Sequence, residues 1–514
     1  MVLQFLIYAI VIISLAFLTI IYFKLIRPQK ALYDAFQAQG IVGEPFRPLV
    51  GQIPELFRHQ NNDTLGIYFE KLSEKYGSVY LIADGPLTRL VCVEPDLLAD
   101  VLSRPNAPNY MKPADFRAVF VPLFGYHSLL VLEGDEHERA RRMINPAFHH
   151  VNLKSMVSII TDRTAKAMQS FLQDDQNTKC VDLQVLFNTL ALSIIASSAF
   201  GADFETNAQA KDVICRVLIE IFDITEYRSM HLINQIPFLS RLPFWGKKTL
   251  DEGTAKISKF VNEIITDRRH GKSTSMCTGA DLLDLLLSAV DDQGISLSDQ
   301  EVKEEALTFV VAGSETTGNL MTWMLYVLMT HDNVFQACRE EVDRVLLDGA
   351  ELSSENISEL VVCEAVINET LRLYPPAPFF ARHCVHEHTI GTKRTLVIPK
   401  GASIDVNVYI LHRRSDLWSR PLEFDYTRWL RDPITGLKPK LPHPFAYLPF
   451  AAGTRNCIGQ NFAMLEAKVM LAMFVQRCNF EMVPGQKIVP DFKLTMRTKY
   501  GLWAKISKRQ RNTL

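Results

Sequence analysis

The stretch "FAAGTRNCIG", Phe450 to Gly459, sets one cysteine between two glycines and two residues after an arginine, just ahead of an apolar helical pattern. A thiolate at the amino end of the helix that starts in "CIGQNFAMLEAKVMLAMF" is favoured by free backbone N–H groups and by the positive end of the helix dipole. Cys457 is therefore a candidate anionic ligand. Its plain alternative is a small buried thiol, the usual state of a free cysteine. Gly453 and Gly459 allow backbone to approach a flat, bulky group, and Arg455 can neutralise an acid carried by that group.

The rest of the chain narrows the choice. With 514 residues, 48% hydrophobic and 22% charged, it can bury a large core in one domain or two closely packed ones. A net charge of -2 gives no general attraction for nucleic acid, which is excluded as a partner class. Nine scattered cysteines form no CxxC pair, which indicates a reducing compartment.

Residues 1–30 read as a membrane anchor with a basic flank. "FLIYAIVIISLAFLTIIYF", Phe5 to Phe23, carries no charge, and at ~1.5 Å rise per residue its length crosses most of a bilayer core. Lys24, Arg27 and Lys30 follow it, the reverse of a cleaved signal's order, and place the remaining chain in the cytosol. Residues 31–56 read as a hinge, broken by the prolines and glycines of "GEPFRPLVGQIPEL". Residues 57–514 form the catalytic body. Helical patterns dominate it, and alternation is confined mainly to "GSVYLIADGPLTRLVCVE" and "RTLVIPKGASIDVNVYI", so the fold class is mainly α with a small β region.

The long helix "SDQEVKEEALTFVVAGSETTGNLMTWMLYVLM" starts on a capping box, Ser298 with Glu301, and Leu297 is placed as a staple. Gly313 and Gly318 each cost about 1 kcal/mol against alanine in its middle, and Glu315 is expensive to bury unpartnered. Close helix packing and a solvated Glu315 account for this. So does a site in which Gly313 admits a ligand while Glu315 and Thr316 supply protons. In "ETLRLYPP", Glu369 and Arg372 share a helical face, in isolation an exposed pair worth ~0.3 kcal/mol.

Haem, a planar iron macrocycle with two propionates, meets the demands of the cysteine loop. The sequence resembles the cytochrome P-450 family of haem-thiolate monooxygenases. The family's FxxGxRxCxG pattern falls on Phe450, Gly453, Arg455, Cys457 and Gly459; AGx[DE]T falls on Ala312, Gly313, Glu315 and Thr316; ExxR falls on Glu369 and Arg372. Arg428 in "FDYTRW" stands for the third member of that pair, although Tyr426 replaces a usual proline. The likeness is strong from Asp299 to Trp503 and continuous back to Tyr76.

The resemblance implies a cytochrome P-450 fold preceded by a single N-terminal transmembrane helix, in the endoplasmic reticulum membrane with the catalytic domain cytosolic. It implies haem b (iron protoporphyrin IX) ligated by Cys457, with Arg455, Arg382, Arg141 and His137 towards the propionates and Phe450, Gly453, Gly459, Ala312 and Gly313 lining the cofactor. His137 stands where the family has tryptophan, and its plain reading is a surface residue. Glu315 and Thr316 are the catalytic pair. Glu369, Arg372 and Arg428 would form a buried network that fixes the fold behind the cysteine loop, structural rather than catalytic. Electrons come from NADPH through a cytochrome P-450 reductase, with cytochrome b5 as a further donor, since anchor and body leave no room for fused flavin domains.

The substrate expected is a lipophilic small molecule: a sterol, a fatty acid or a xenobiotic. Its pocket draws on "FRAVFVPLFGYHSLL", Phe309, Ala312, "APFF" and the turn near Met496, and "NQIPFLSRLPFW" is placed to dip into lipid or to form a buried connection. Many fatty-acid omega-hydroxylases of the superfamily have glutamate at the position of Ala312, so that branch loses weight. Rival functions are a haem-thiolate isomerase or dehydratase of lipid peroxides, and a catalytically silent membrane-anchored lipid binder.

Overall fold

The computed structural model describes residues 2–172, 179–201, 216–229, 242–243, 246–272, 279–346, 352–353 and 355–510. Apart from Leu242 and Pro243, the expected lipid-dipping stretch "NQIPFLSRLPFW" lies outside the described residues, as do Cys215, Cys277 and the centre of the loop from Arg268 to Asp281. Two compact units are present: Met1–Pro113 with Phe379–Leu411 and His443–Ala446, and Ala114–Pro378 with His412–Pro442 and Tyr447–Leu514.

The first unit begins with the helix Val2–Ile21, none of whose side chains is buried. It is long and apolar enough to cross a membrane and fits a single transmembrane anchor. Pro28 offers no N–H to the carbonyl four residues back, and the ladder widens into a π turn over Tyr22–Ile26 before continuing as Arg27–Gln37. The start of the expected hinge is therefore helical through Gln37. It buries Tyr33 and Phe36, while the Gln29 side chain accepts the Thr88 N–H at 2.8 Å.

A five-stranded sheet completes this unit. Its strands run in the order Val79–Asp84, Leu87–Cys92, Ser403–Asn407, Phe379–Cys384, Tyr110–Met111. The first two make a hairpin in register Val79↔Cys92, turned at Gly85 with φ 58. Leu87–Cys92 pairs in parallel with Ser403–Asn407, and the other ladders are antiparallel. The late alternating stretch ends sooner than its pattern suggests, because Val408–Leu411 turns into a short helix.

The second unit is built around the helix Asp299–Thr330, started by the expected capping box of Ser298 and Glu301. It packs along Leu183–Phe200, with Val361–Leu373 and Gln460–Arg477 also against it. Its glycines face the neighbouring helix. A Cβ on Gly318 would lie 2.7 Å from the Asn188 Cα, and one on Gly313 would lie 3.0 Å from the Ile195 side chain. Helix packing thus explains both glycines, and the close approach that Gly313 permits is to protein.

Two small sheets escaped the sequence pattern: Lys179–Asp182 with Trp503–Lys508 and Cys478–Met482, and the hairpin of Pro490–Phe492 with Met496–Thr498. Their strands are short, and Lys179–Asp182 finds its partner more than 300 residues along the chain, so no local periodicity marks it.

Candidate haem-thiolate active site

Cys457 lies on the turn before the helix Gln460–Arg477. The turn is shaped by left-handed backbone at Ala451 (φ 55) and Gly453 (φ 75), and it closes where the Cys457 N–H donates to the Phe450 carbonyl at 2.9 Å. Gly453 is required by that backbone. Gly459 is not, since a Cβ there would meet only the Phe148 ring at 3.9 Å.

The cysteine is surrounded by protein, and burial pushes its thiol above the ordinary range. The Gly459 N–H and the Arg141 charge pull the other way without prevailing. The helix end alone, which the sequence reading credited with the anion, is therefore outweighed by burial, and a cation bound at the sulfur would favour the thiolate. Yet Cys457 is also exposed. Deep placement with free surface means that the thiol opens on internal space. Ala312 does the same, exposed in mid-helix with Thr308 and Phe309 buried one turn before it and Glu315 and Thr316 partly buried one turn after. A thiol donor and a side-chain-poor helix segment, each bared inside the unit, fit a flat metal-bearing group.

The cations around the loop have protein partners. Arg455 donates to the Leu132 carbonyl at 2.5 Å and pairs with Glu133. Arg141 donates to the Asn456 carbonyl at 2.7 Å, to the Asn456 side chain at 2.9 Å and to Asn145 at 2.8 Å. Both guanidiniums thereby pin the turn on which Cys457 sits. His137 shares the helix Gly134–Ile144 with Arg141, four residues earlier, and is only 4% exposed, so the surface reading of this histidine is overturned. Arg382 belongs to the first unit, where it is buried, donates to the Ala381 carbonyl at 3.0 Å and lies over the Phe380 ring.

The Thr316 hydroxyl donates to the Ala312 carbonyl at 2.7 Å, so its remaining capacity is as an acceptor. Glu315 is 14% exposed and well partnered. It accepts from Asn188 and Asn319, both at 3.2 Å, and from the Thr495 hydroxyl at 3.1 Å, while Arg497 stands 4.0 Å away. Neither the solvated Glu315 nor an unpartnered one survives. Asn188, Asn319, Thr495 and Arg497 were not singled out in the sequence. Asn319 had a signal, four residues beyond Glu315 on the same helical face, and so did the i,i+4 pair Gln184 and Asn188 in an apolar helix.

Behind the cysteine turn, Glu369 and Arg372 are fully buried rather than a surface pair. All five Arg372 N–H donors are used: two on Glu369 at 2.8 and 2.9 Å, and one each on the carbonyls of His412, Pro421 and Glu423 at 2.7–3.0 Å. Glu369 also accepts from Asp425 N–H, Trp429 and Arg428, the last at 3.3 Å. His412, also buried, links this knot to the turn: its Nε2 accepts the Leu448 N–H at 2.8 Å, and its Nδ1 lies 3.1 Å from the Arg372 carbonyl.

Comparison with known proteins agrees with this geometry. The chain is 30% identical to human cytochrome P450 4F12 over 456 residues, covering 85% of this chain and 84% of that one. It is 29% identical to cytochrome P450 709B1 of Arabidopsis thaliana, covering 90% and 91%. Its fold superposes on a cytochrome P450DA heme domain with a TM-score of 0.77 at 23% identity, over 91% of this chain and 98% of that one. Because the cytochrome P450 family model also matches residues 42–504, the chain belongs to the cytochrome P450 family, whose members are monooxygenases.

Proposed function

We propose that this enzyme hydroxylates a lipophilic small molecule, a sterol, fatty acid or xenobiotic, using dioxygen and electrons passed from NADPH by a cytochrome P-450 reductase. The observation that carries the proposal is the Cys457 thiol, held on a turn pinned by Arg141 and Arg455 and bared to internal space. Haem b bound there would supply dioxygen activation, with the thiolate's electron density favouring O–O cleavage.

Each protein group has a task in that reading. Cys457 would hold the iron through its sulfur. His137, Arg141 and Arg455 would meet the acidic edge, each through N–H groups beyond those already engaged or by exchanging a protein partner. Phe450, Gly453 and Gly459 would shape the cysteine side of the cradle and Ala312 the other, while Gly313 is turned to Ile195 of the neighbouring helix. Thr316, whose proton is on the Ala312 carbonyl, accepts a hydrogen bond at Oγ1 and so orients a proton donor above the site. Glu315 holds and releases the protons at its carboxylate, and its three hydrogen-bond donors keep that carboxylate in place. The aromatic run Phe116, Phe120 and Phe124, with centroids 4.4 and 5.8 Å apart, supports an apolar pocket.

The exposed helix Val2–Ile21 and the cations that follow support a single-pass anchor in the endoplasmic reticulum membrane, body in the cytosol, with cytochrome b5 as a second donor there. The test is optical. The reduced protein with carbon monoxide is expected to show the red-shifted Soret band of a thiolate complex, and Cys457→Ser to lose it. Survival of the same band in the variant refutes the ligand assignment.

A further inference from the structure

Next to Glu315 stands a cluster with more acid than base. Arg497 and Lys493, both on the 490–498 hairpin, are the cations. Around them lie Glu226 and Asp223 of the helix Leu218–Ser229, Asp491 of the hairpin, and Glu315 itself. Four carboxylates thus share two positive charges.

The distances show how Arg497 is divided. Its Nη2 donates to Glu226 at 2.8 Å, a true hydrogen bond, whereas Glu315 is 4.0 Å away, Asp223 3.8 Å and Asp491 3.9 Å. Lys493 adds to the hold on Glu226 at 3.2 Å. Glu226 is almost wholly buried, and among the described residues its Oε1 has no hydrogen-bond partner while its Oε2 is held by these two cations. Arg497 is itself largely buried, and Glu226 is the strongest of the four charges acting on it, ahead of Glu315. Glu315 faces Nη1 and Glu226 holds Nη2, so a guanidinium drawn about 1 Å towards Glu315 would bring Nη1 within hydrogen-bond distance of that carboxylate.

We infer that Glu226 is a positioning residue for proton delivery: by holding Arg497 it keeps the guanidinium out of direct contact with Glu315, leaving that carboxylate to neutral donors from which it can move. The inference rests on the reading of Glu315 as the proton-handling acid. Without the Glu226 charge, Arg497 closes on Glu315 and engages the oxygens that must exchange protons. Because Glu226 is on the helix Leu218–Ser229, whatever displaces that helix also changes the grip on Glu315.

The test uses the full-length, haem-loaded enzyme in three variants. Glu226→Gln keeps the side-chain shape and removes the charge. It is expected to shift the Glu315 carboxylate stretch in infrared difference spectra, assigned by its loss in Glu315→Gln, and to raise the ratio of peroxide to product severalfold. In Glu226→Gln/Arg497→Gln both readouts are expected to return towards the parent, which a merely structural role for Glu226 does not predict. An unshifted Glu315 band in Glu226→Gln, or a double variant more uncoupled than the single one, overturns the inference. If Glu315→Gln itself leaves the peroxide ratio unchanged, the acid assignment fails first and this inference falls with it.

Discussion

Lowering the pH from 7 to 5 is expected to weaken the fold through His412, by an amount the structure sets. The imidazole is fully buried between the ExxR helix and the cysteine turn. Its Nε2 must accept the Leu448 N–H, so its one proton is on Nδ1, directed at the Arg372 carbonyl. A second proton would set donor against donor at Leu448, in a fully buried site beside the charges of Arg372 and Arg413. Burial first, then Arg372, pushes the histidine down to about 3 from an ordinary 6.5. The unfolded chain therefore takes up a proton below pH 6.5 that the folded chain refuses. Stability from this group is complete above that value and lost as pH falls, by about 1.4 kcal/mol per unit, hence about 2 kcal/mol between pH 7 and 5 and about 4 kcal/mol by pH 3. Urea unfolding followed by tryptophan fluorescence at pH 7 and 5, in the parent and in His412→Gln, isolates the effect, because the carboxylates titrate alike in both. The variant starts less stable, yet its loss between the two pH values is expected to be smaller by about 2 kcal/mol. Equal losses in the two proteins would refute the assignment of a buried, neutral imidazole.

Other outcomes follow from the same geometry. Arg372→Ala strands a buried Glu369 and three carbonyls, and is expected to cost about 3–5 kcal/mol with loss of haem retention, read from thermal unfolding and the haem-to-protein ratio; a variant with parental melting sinks the buried-knot account. Thr316→Ala is expected to keep its haem while diverting reducing equivalents to peroxide, measured as product per NADPH consumed; unchanged coupling removes Thr316 from proton delivery. Gly318→Ala forces apart two helices whose backbones touch at Asn188, for about 1–3 kcal/mol, whereas Gly459→Ala meets one ring at ordinary contact and is expected to leave melting within about 0.5 kcal/mol. Reversal of that order would show that helix contact is not what selects glycine at 318.

The spacing of Phe450, Gly453, Arg455 and Cys457, the capping box at Ser298 and the uncharged run from Phe5 to Phe23 were all legible in the chain, because each is set by one short contiguous stretch of it. So was the presence of a cost at Gly313, Gly318 and Glu315. How that cost is met was not. Asn188 and Thr495 lie 127 and 180 residues from the carboxylate they hold, and Glu226 reaches Arg497 across 271. Likewise, Glu369 and Arg372 by themselves read as a weak surface pair; the family resemblance implied the buried network with Arg428, and only the fold adds Asp425 and Trp429 to it. Local sequence determines a helix end, a turn or an apolar span, since those are settled by nearest neighbours and by water. Burial, the sharing of charges and the balance that leaves Cys457 short of an anion were decided only by tertiary structure, because desolvation and Coulomb energy depend on everything that surrounds a group, however distant along the chain.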